Sequence, residues 1–480
     1  MTHSILDGVR GSRSAVGRIV LLGVLAGVPV GLGSPGTGMA RVYEVGPGHA
    51  LAEIEEVPWE SLEPGDTVLI HAREEPYRSK WVICRRGTAE RPIVVRGVAG
   101  PDGRLPVVDG RDAVTRPELN YWNEPRGIIK IGGANRPEDT TPAFIVVENL
   151  EIRSARPPYR FTGRDGVTAY AKNAAAIFVE KGDDLTIRGC VLHDCGNGLF
   201  TASASQRVTI EHCWIYDNGI EDSIYEHNNY TNSQGIVFQF NHFGPLRDGC
   251  PGNNLKDRST DLVVRYNWIE GGNRALDLVE GAHGREPRGA ESPTFVYGNV
   301  LVKLDERGNN QVVHYGGDSG REDRYRRGVL HFYHNTVVSY RPGNTTLLRL
   351  STNEQRVECR NNLVFVTAPG HHLALLAGAG RAELDTNWFN AGWRPSHTAL
   401  AGDIRGEQTT LAGTRPGLAD VEGGDFRLVP GSPAIGAAAA LPPAIPEDYR
   451  PRFLYVPHRQ RADRTVQPAS NLGALEQVPP

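Results

Sequence analysis

The chain has 480 residues, 39% of them hydrophobic, with 56 Gly, 33 Pro, 6 Cys and a formal net charge of -4. That mildly acidic balance excludes a general electrostatic pull toward nucleic acid or an anionic membrane, so a polyanionic partner has to be met by a local cluster of cations. Amphipathic 3.6-residue periodicity is nearly absent outside Ala50–Ile54, which excludes a helical protein and favours short strands joined by many turns.

Residues 1–40 read as a secretory signal peptide. Arg10, Arg13 and Arg18 precede an apolar run from Ile19 to Leu32, and small residues end at Ala40. The run is too short and Gly-rich for a good membrane span, so no span is expected in the mature chain. Cleavage removes those three Arg and Asp7, taking the formal charge from -4 to -6. The expected location is secreted or periplasmic.

Residues 41–480 are expected to form one domain. Within 42–110, Leu62-Glu-Pro-Gly-Asp-Thr-Val-Leu-Ile70 is a turn followed by a buried strand, and Gly87-Thr-Ala-Glu-Arg-Pro-Ile-Val-Val95 repeats the pattern. From Phe144 a short phrase recurs with a small polar residue in one slot. The slot residues are Cys190, Cys213, Asn241, Asn267, Asn299, Asn335, Asn362 and Asn387, spaced 23, 28, 26, 32, 36, 27 and 25 apart. Strand-like residues flank each slot, which argues for a solenoid with regular coils over about 144–390. Asn tolerates the left-handed conformation at a bend, and its amide can bond an identical Asn one coil above, so the slots are expected to form an internal Asn/Cys ladder. Residues 391–480, with Asp425-Phe-Arg-Leu-Val-Pro-Gly-Ser-Pro433 and Asn471-Leu-Gly-Ala-Leu-Glu476, are expected to be a C-terminal capping segment.

With this repeat and these two end signatures, nearly all of the mature chain resembles the pectate-lyase-like superfamily. The resemblance implies an all-β, right-handed parallel β-helix. It leaves the reaction open, because that scaffold hosts lyases, hydrolases, epimerases and non-catalytic binders.

The ladder bears on the cysteines. Stacked strands lie about 4.8 Å apart, whereas a disulfide prefers Cβ atoms about 3.8 Å apart. Cys190 and Cys213, in equivalent slots, are therefore expected to be buried thiols. Cys195 and Cys250 lie outside the slot and are candidates for pairing across coils.

Counting back from the slots also registers outward residues of neighbouring coils. Tyr230 and Lys256 each lie eleven positions before their slot, and Asn232 and Arg258 nine before. Asn228 pairs in the same way with Asn254, and His227 falls at the strand entrance. A bare Lys-x-Arg is usually a solvated face; a His and a Tyr from the preceding coil make this a candidate site. Lys256, Arg258, Tyr230 and His227 suit β-elimination on a uronic-acid polysaccharide. Arg258 would hold the sugar carboxylate, Lys256 would take the C5 proton if its pKa falls, and Tyr230 or His227 would protonate the departing O4. Several polysaccharide lyases of the resembled scaffold use Lys or Arg as base. Asn228, Asn232, Asn254, Arg274, His314 and Tyr315 are candidate substrate contacts.

No cofactor is required by this reading. Ca²⁺ is the one candidate, with Asp277 and Glu280 as ligands, by analogy with acidic clusters in some lyases of the resembled scaffold. Surface acids balancing nearby Arg residues are the competing explanation. The expected function is an exported polysaccharide lyase whose partner is an anionic glycan. A glycoside hydrolase is the enzymatic alternative, with Asp257, Asp277 and Glu280 as the source of its carboxylates and Asp257 expected to point inward. A non-catalytic glycan-binding surface protein is the third reading.

Overall fold

The computed structural model describes residues 39–280, 291–306, 308–464 and 470–478. Apart from Met39 and Ala40, the expected signal peptide lies outside the described residues, as do His283, Arg285 and Arg288 of a long insertion. Among the described residues no helix is long and apolar enough to cross a membrane.

From Val42 onward the chain winds as a parallel β-helix. Three tracks of parallel strands stack along its length, one strand per coil in each. The first track includes Asn229–Thr231, Leu255–Asp257, Leu276–Leu278, Gln311–Tyr315 and Thr345–Leu350. The second includes Ser233–Gln239, Thr260–Arg265, Thr294–Tyr297 and Val329–Tyr333. The third forms a separate 11-stranded sheet that includes Trp268–Glu270, Val300–Lys303 and Thr336–Ser339. Two long strands, Ala175–Arg188 and Asn197–Glu211, bend through the corner between the first two tracks and join them into one sheet. Strand alternation sends every second side chain inward, where Leu255, Leu276, Val313, Leu348 and Leu376 form one apolar stack, with the buried Asn229 between Leu255 and Leu199.

The slot residues lie between the second and third tracks and are fully buried. Asn299 shows the pattern. Its Oδ1 accepts from the backbone N and the Nδ2 of Asn267, both at 3.0 Å. Its own N and Nδ2 donate to Asn335 Oδ1 at 3.1 and 3.0 Å, and Nδ2 also reaches Val264 O at 2.9 Å. The same contacts link Asn241 through Asn387, and Cys213 N donates to Asn241 Oδ1 at 3.0 Å. The sequence reading put the left-handed conformation on the Asn itself. It falls instead on the residue before: His212, Phe240, Tyr266, His334, Asn361 and Thr386 all have φ between 50° and 57°. The Asn is left extended, so its amide runs along the stack and closes the bend.

The C-terminal residues run back along the side of the coils. Arg459 O meets His212 Nδ1 at 2.7 Å, Arg452 N donates to Tyr266 Oη at 2.9 Å, and Ala474 N donates to Thr336 Oγ1 at 2.9 Å. The indole of Trp268 stacks on Phe426 with centroids 5.3 Å apart. All six Cys are free thiols, so Cys195 and Cys250 do not pair, and only Cys250 is less than fully buried.

Asn299→Ala removes the acceptor used by two donors of Asn267 and leaves Val264 O without its donor. A loss of about 2–4 kcal/mol is expected in denaturant unfolding; less than about 1 kcal/mol would mean that the amides do not hold the bends. Thiol titration should find six reactive groups per chain in denaturant without reductant, and Cys250 as the first to react in the native state.

Candidate active site

One outward row crosses the first track. Strand register aligns Lys130, Phe178, Phe200, Tyr230, Lys256, Asp277, His314 and Arg349 on successive coils. Tyr230 therefore lies beside Lys256, as the slot count requires. Arg258, two residues further along its strand, reaches back so that Nε donates to Tyr230 Oη at 2.9 Å.

Lys256 is buried, and its Nζ donates to Asp277 Oδ2 at 2.5 Å and Asp318 Oδ2 at 2.6 Å. Burial alone would lower its pKa, but the charges of Asp277 and Asp318 outweigh burial and leave it above lysine's ordinary value. That corrects the expectation of a depressed, proton-accepting Lys256: the two carboxylates keep it an ammonium. Arg258 is likewise held as a cation. Its NH2 donates to Asp318 Oδ1 at 2.9 Å and its NH1 lies 3.2 Å from Glu280 Oε1. Glu280 is fixed in turn by the backbone N–H groups of Asp318 and Ser319, at 2.9 and 3.0 Å.

Asp277 is the inner hub. Its carboxylate accepts from Lys256, from Asn253 Nδ2 at 2.8 Å and from His314 Nδ1 at 2.7 Å, with Arg274 NH1 at 3.4 Å. Burial would raise its pKa, but these donors hold it well below the usual carboxylate range. An ionised Asp277 places a His314 proton on Nδ1, and Nε2 lies 2.9 Å from Ser351 Oγ. Ser351 Oγ is also clamped by Gly317 N at 3.0 Å and Gly317 O at 2.9 Å, so this Ser–His–Asp chain braces the row and does not offer a free nucleophile. His227 Nδ1 accepts from Asn253 N at 3.0 Å, which leaves its proton on Nε2, and its ring meets Tyr230 edge-on at 5.5 Å. Burial, aided by the Lys256 charge, pushes its pKa down to about 3.

Several expected contacts fall elsewhere. Asn228 and Asn254 are fully buried and form a second, shorter ladder: Asn218 Nδ2 donates to Asn228 Oδ1 at 3.0 Å, and Asn228 Nδ2 to Asn254 Oδ1 at 3.1 Å. No glycan reaches them there. Tyr315 aligns with Asp257 and Leu278, points inward and donates to Gly328 O at 2.8 Å. Asp257 is also inward, paired with buried Arg326 at 3.0 Å, which leaves it unable to act on a bond outside. Asn232 stays half-buried beside the row, with Oδ1 free of partners. Arg274 binds Gln311 at 3.0 Å beside Asp277.

Asp277 and Glu280 do not fit a Ca²⁺ site. Their oxygens are engaged by Lys256, Arg274, Arg258, His314, Asn253 and two backbone N–H groups, and the cations already neutralise them. The one trio of metal-type donors close together among the described residues is Glu44, His49 and His71, on the first coils and away from this row.

Sequence reasoning missed Asp318, Ser351 and Asn253 as parts of the site. Asp318 and Ser351 follow loops of unequal length, beyond the reach of a slot count. The outer coils of the row, with Phe178 and Phe200, were passed over because they look like plain strand.

The buried histidines set an acid response. His334, like His227, is pushed down to about 3 by burial. Between pH 6.5 and 3 the unfolded chain therefore binds more protons than the folded one, and stability falls as pH falls, by about 1.4 kcal/mol per unit for each group. Denaturant midpoints should drop steadily from pH 7 to pH 5, and His227→Asn should flatten that slope; an unchanged slope would remove His227 as a source.

Residues 146–291 match a family model described as "Right handed beta helix region". No curated protein matches the chain. Among solved structures, the chain is similar to pectate lyase Pel9A, at 12% identity and a TM-score of 0.49, over 92% of this chain and 97% of that one. It is also similar to the GH136 lacto-N-biosidase of Eubacterium ramulus, at 12% identity and 0.44, over 78% and 68%. A rhamnogalacturonan lyase follows at 14% identity and 0.39, over 70% and 85%. The chain is a right-handed parallel β-helix with an internal asparagine ladder.

Proposed function

We propose that the protein is an exported enzyme that cuts an anionic, uronic-acid-containing polysaccharide by β-elimination. The observation that carries this reading is the 2.9 Å bond from Arg258 Nε to Tyr230 Oη, in an outward row whose next member is a charged Lys256. Because the guanidinium donates to the phenolic oxygen, the proton of Tyr230 is directed away from Arg258. In the elimination Tyr230 reacts as the phenolate, its charge met by Arg258: Oη takes the C5 proton, the C5–H electrons form the C4–C5 double bond, and the C4–O4 bond breaks. The phenolic proton passes to O4, so Tyr230 ends as it began. Lys256 and Arg258, both cations, stabilise the charge that builds on the sugar carboxylate during proton removal. The neutral His227 is left as a donor.

Hydrolysis is less well supported. It needs one carboxylic acid kept protonated and one carboxylate. Asp277 and Asp318 both bind the same Lys256 ammonium, and both are held below the usual range although burial alone would raise them.

The test is ultraviolet absorbance of the unsaturated product across a panel of uronate polymers. Tyr230→Phe should lower turnover by about 10²–10⁴ while the polymer is still retained; unchanged turnover removes Tyr230 from proton transfer. New reducing ends without absorbance would establish hydrolysis, and retention without cleavage would establish a binder.

A further inference from the structure

Arg126 stands at the start of the strand Gly127–Ile131, on the N-terminal side of the row. Its guanidinium lies over two ring faces, 4.5 Å from the centroid of Phe178 and 4.6 Å from that of Phe200. Those rings stack at 4.9 Å and 3°, and Phe200 meets Tyr230 edge-on at 5.3 Å. Among the described residues no carboxylate pairs with Arg126, and its Nε is a buried donor without an acceptor. Glu180 attracts Arg126, but its Oε2 is bonded to Lys130 at 2.7 Å and Asn123 at 2.9 Å. Arg258, in contrast, has Tyr230, Asp318 and Glu280.

A half-buried guanidinium beside two aromatic rings, with an unmet donor, costs free energy unless something supplies the acceptor. Its position one ring away from Tyr230 says where that acceptor comes from. We propose that Arg126 is a carboxylate-binding subsite of the row. It would take the carboxylate of a uronate unit next to the one at Tyr230, through the planar fork that guanidinium and carboxylate share. The stacked coils rise about 4.8 Å each, so a chain lying along the row would bring successive sugars past successive coils, Phe200 then Tyr230. This assignment rests on reading the row as a glycan groove, but not on the bond being cut by elimination.

The test compares the wild type with Arg126→Gln and Arg126→Lys by affinity electrophoresis in gels containing polygalacturonate, alginate, methyl-esterified pectin or a sulfated neutral glycan, with absorbance at the unsaturated product followed separately. Wild type should be retarded by at least one of the two free uronate polymers. Arg126→Gln should weaken that retardation about tenfold, with unchanged circular dichroism and melting, and should leave retardation by the methyl-esterified polymer alone. Arg126→Lys keeps the charge without the fork and should fall between; it also decides the matter if the Gln variant does not fold. Equal retardation of wild type and both variants overturns the subsite. So does a wild type that neither free uronate polymer retards, or a loss confined to the sulfated glycan. Retardation lost in Arg126→Gln with no absorbance from wild type would keep the subsite and sink the elimination reading.

Discussion

From Asn241 to Asn387 each coil turns through a residue in the left-handed region, and the asparagine after it holds that turn closed, with Cys190 and Cys213 in the same place on the two coils before. The conformation costs about 1–2 kcal/mol for a residue with a side chain, and here it is adopted by His212, Phe240 and Tyr266, among others. What compensates is an amide that accepts two bonds from the coil on one side and donates to the coil on the other, out of reach of water. Such bonds are worth more when the alternative is a buried, unmatched donor. The ladder also fixes phase. A slip of one residue would turn each strand's outward set inward, so the alignment of Tyr230, Lys256, Asp277 and His314 is a consequence of the bends.

On that frame the row gathers Lys256, Arg258 and Arg274 against Asp277, Glu280 and Asp318. Three of the six, Lys256, Asp277 and Glu280, are buried; burying charges is expensive, and pairs of this kind rarely add stability over apolar packing. The arrangement makes sense as preorganisation: each group is held by its neighbours before a substrate arrives, so little has to move as charge develops. The same network decides which groups can move a proton. Lys256 has two carboxylates on its ammonium and Asp277 has cations and hydrogen-bond donors on its oxygens. Tyr230, at the edge of the network with one bond from Arg258, is the member whose own proton is uncommitted.

Much of this was legible in the chain. The repeated slot gave the coil count, the buried thiols of Cys190 and Cys213, and the pairing of Tyr230 with Lys256, because all depend on short-range spacing. It failed where partners come from beyond a loop. Asp318 lies sixty-two residues from Lys256 along the chain and reverses its expected acidity. Asn228 and Asn254 were misjudged for a different reason: a polar residue at the bend before a strand reads as a surface residue unless a second interior ladder is suspected. Tyr315 and His314 are neighbours in sequence, and only the alternation fixed by register sends one inward and one outward.

The C-terminal segment explains why this face carries the polar row. Phe426 and Tyr455 cover Trp268, Val300 and Val302 on the third track, and Ile445, Tyr449 and Phe453 cover Phe240, Phe295 and Tyr297 on the second. These apolar side chains have a partner to pack on, and covering them gains the free energy of burial. Among the described residues the C-terminal segment does not cover the first track over the same coils, and the outward side chains there include the polar row. Phe200 and Arg126 differ: an aromatic row and a cation without an anion lie side by side on the uncovered face. The row is therefore asymmetric along its length. Its Asp277–His314–Ser351 end is satisfied within the protein, and its Phe178–Phe200–Arg126 end is not, which would give the polymer of the proposed function a direction as well as a track.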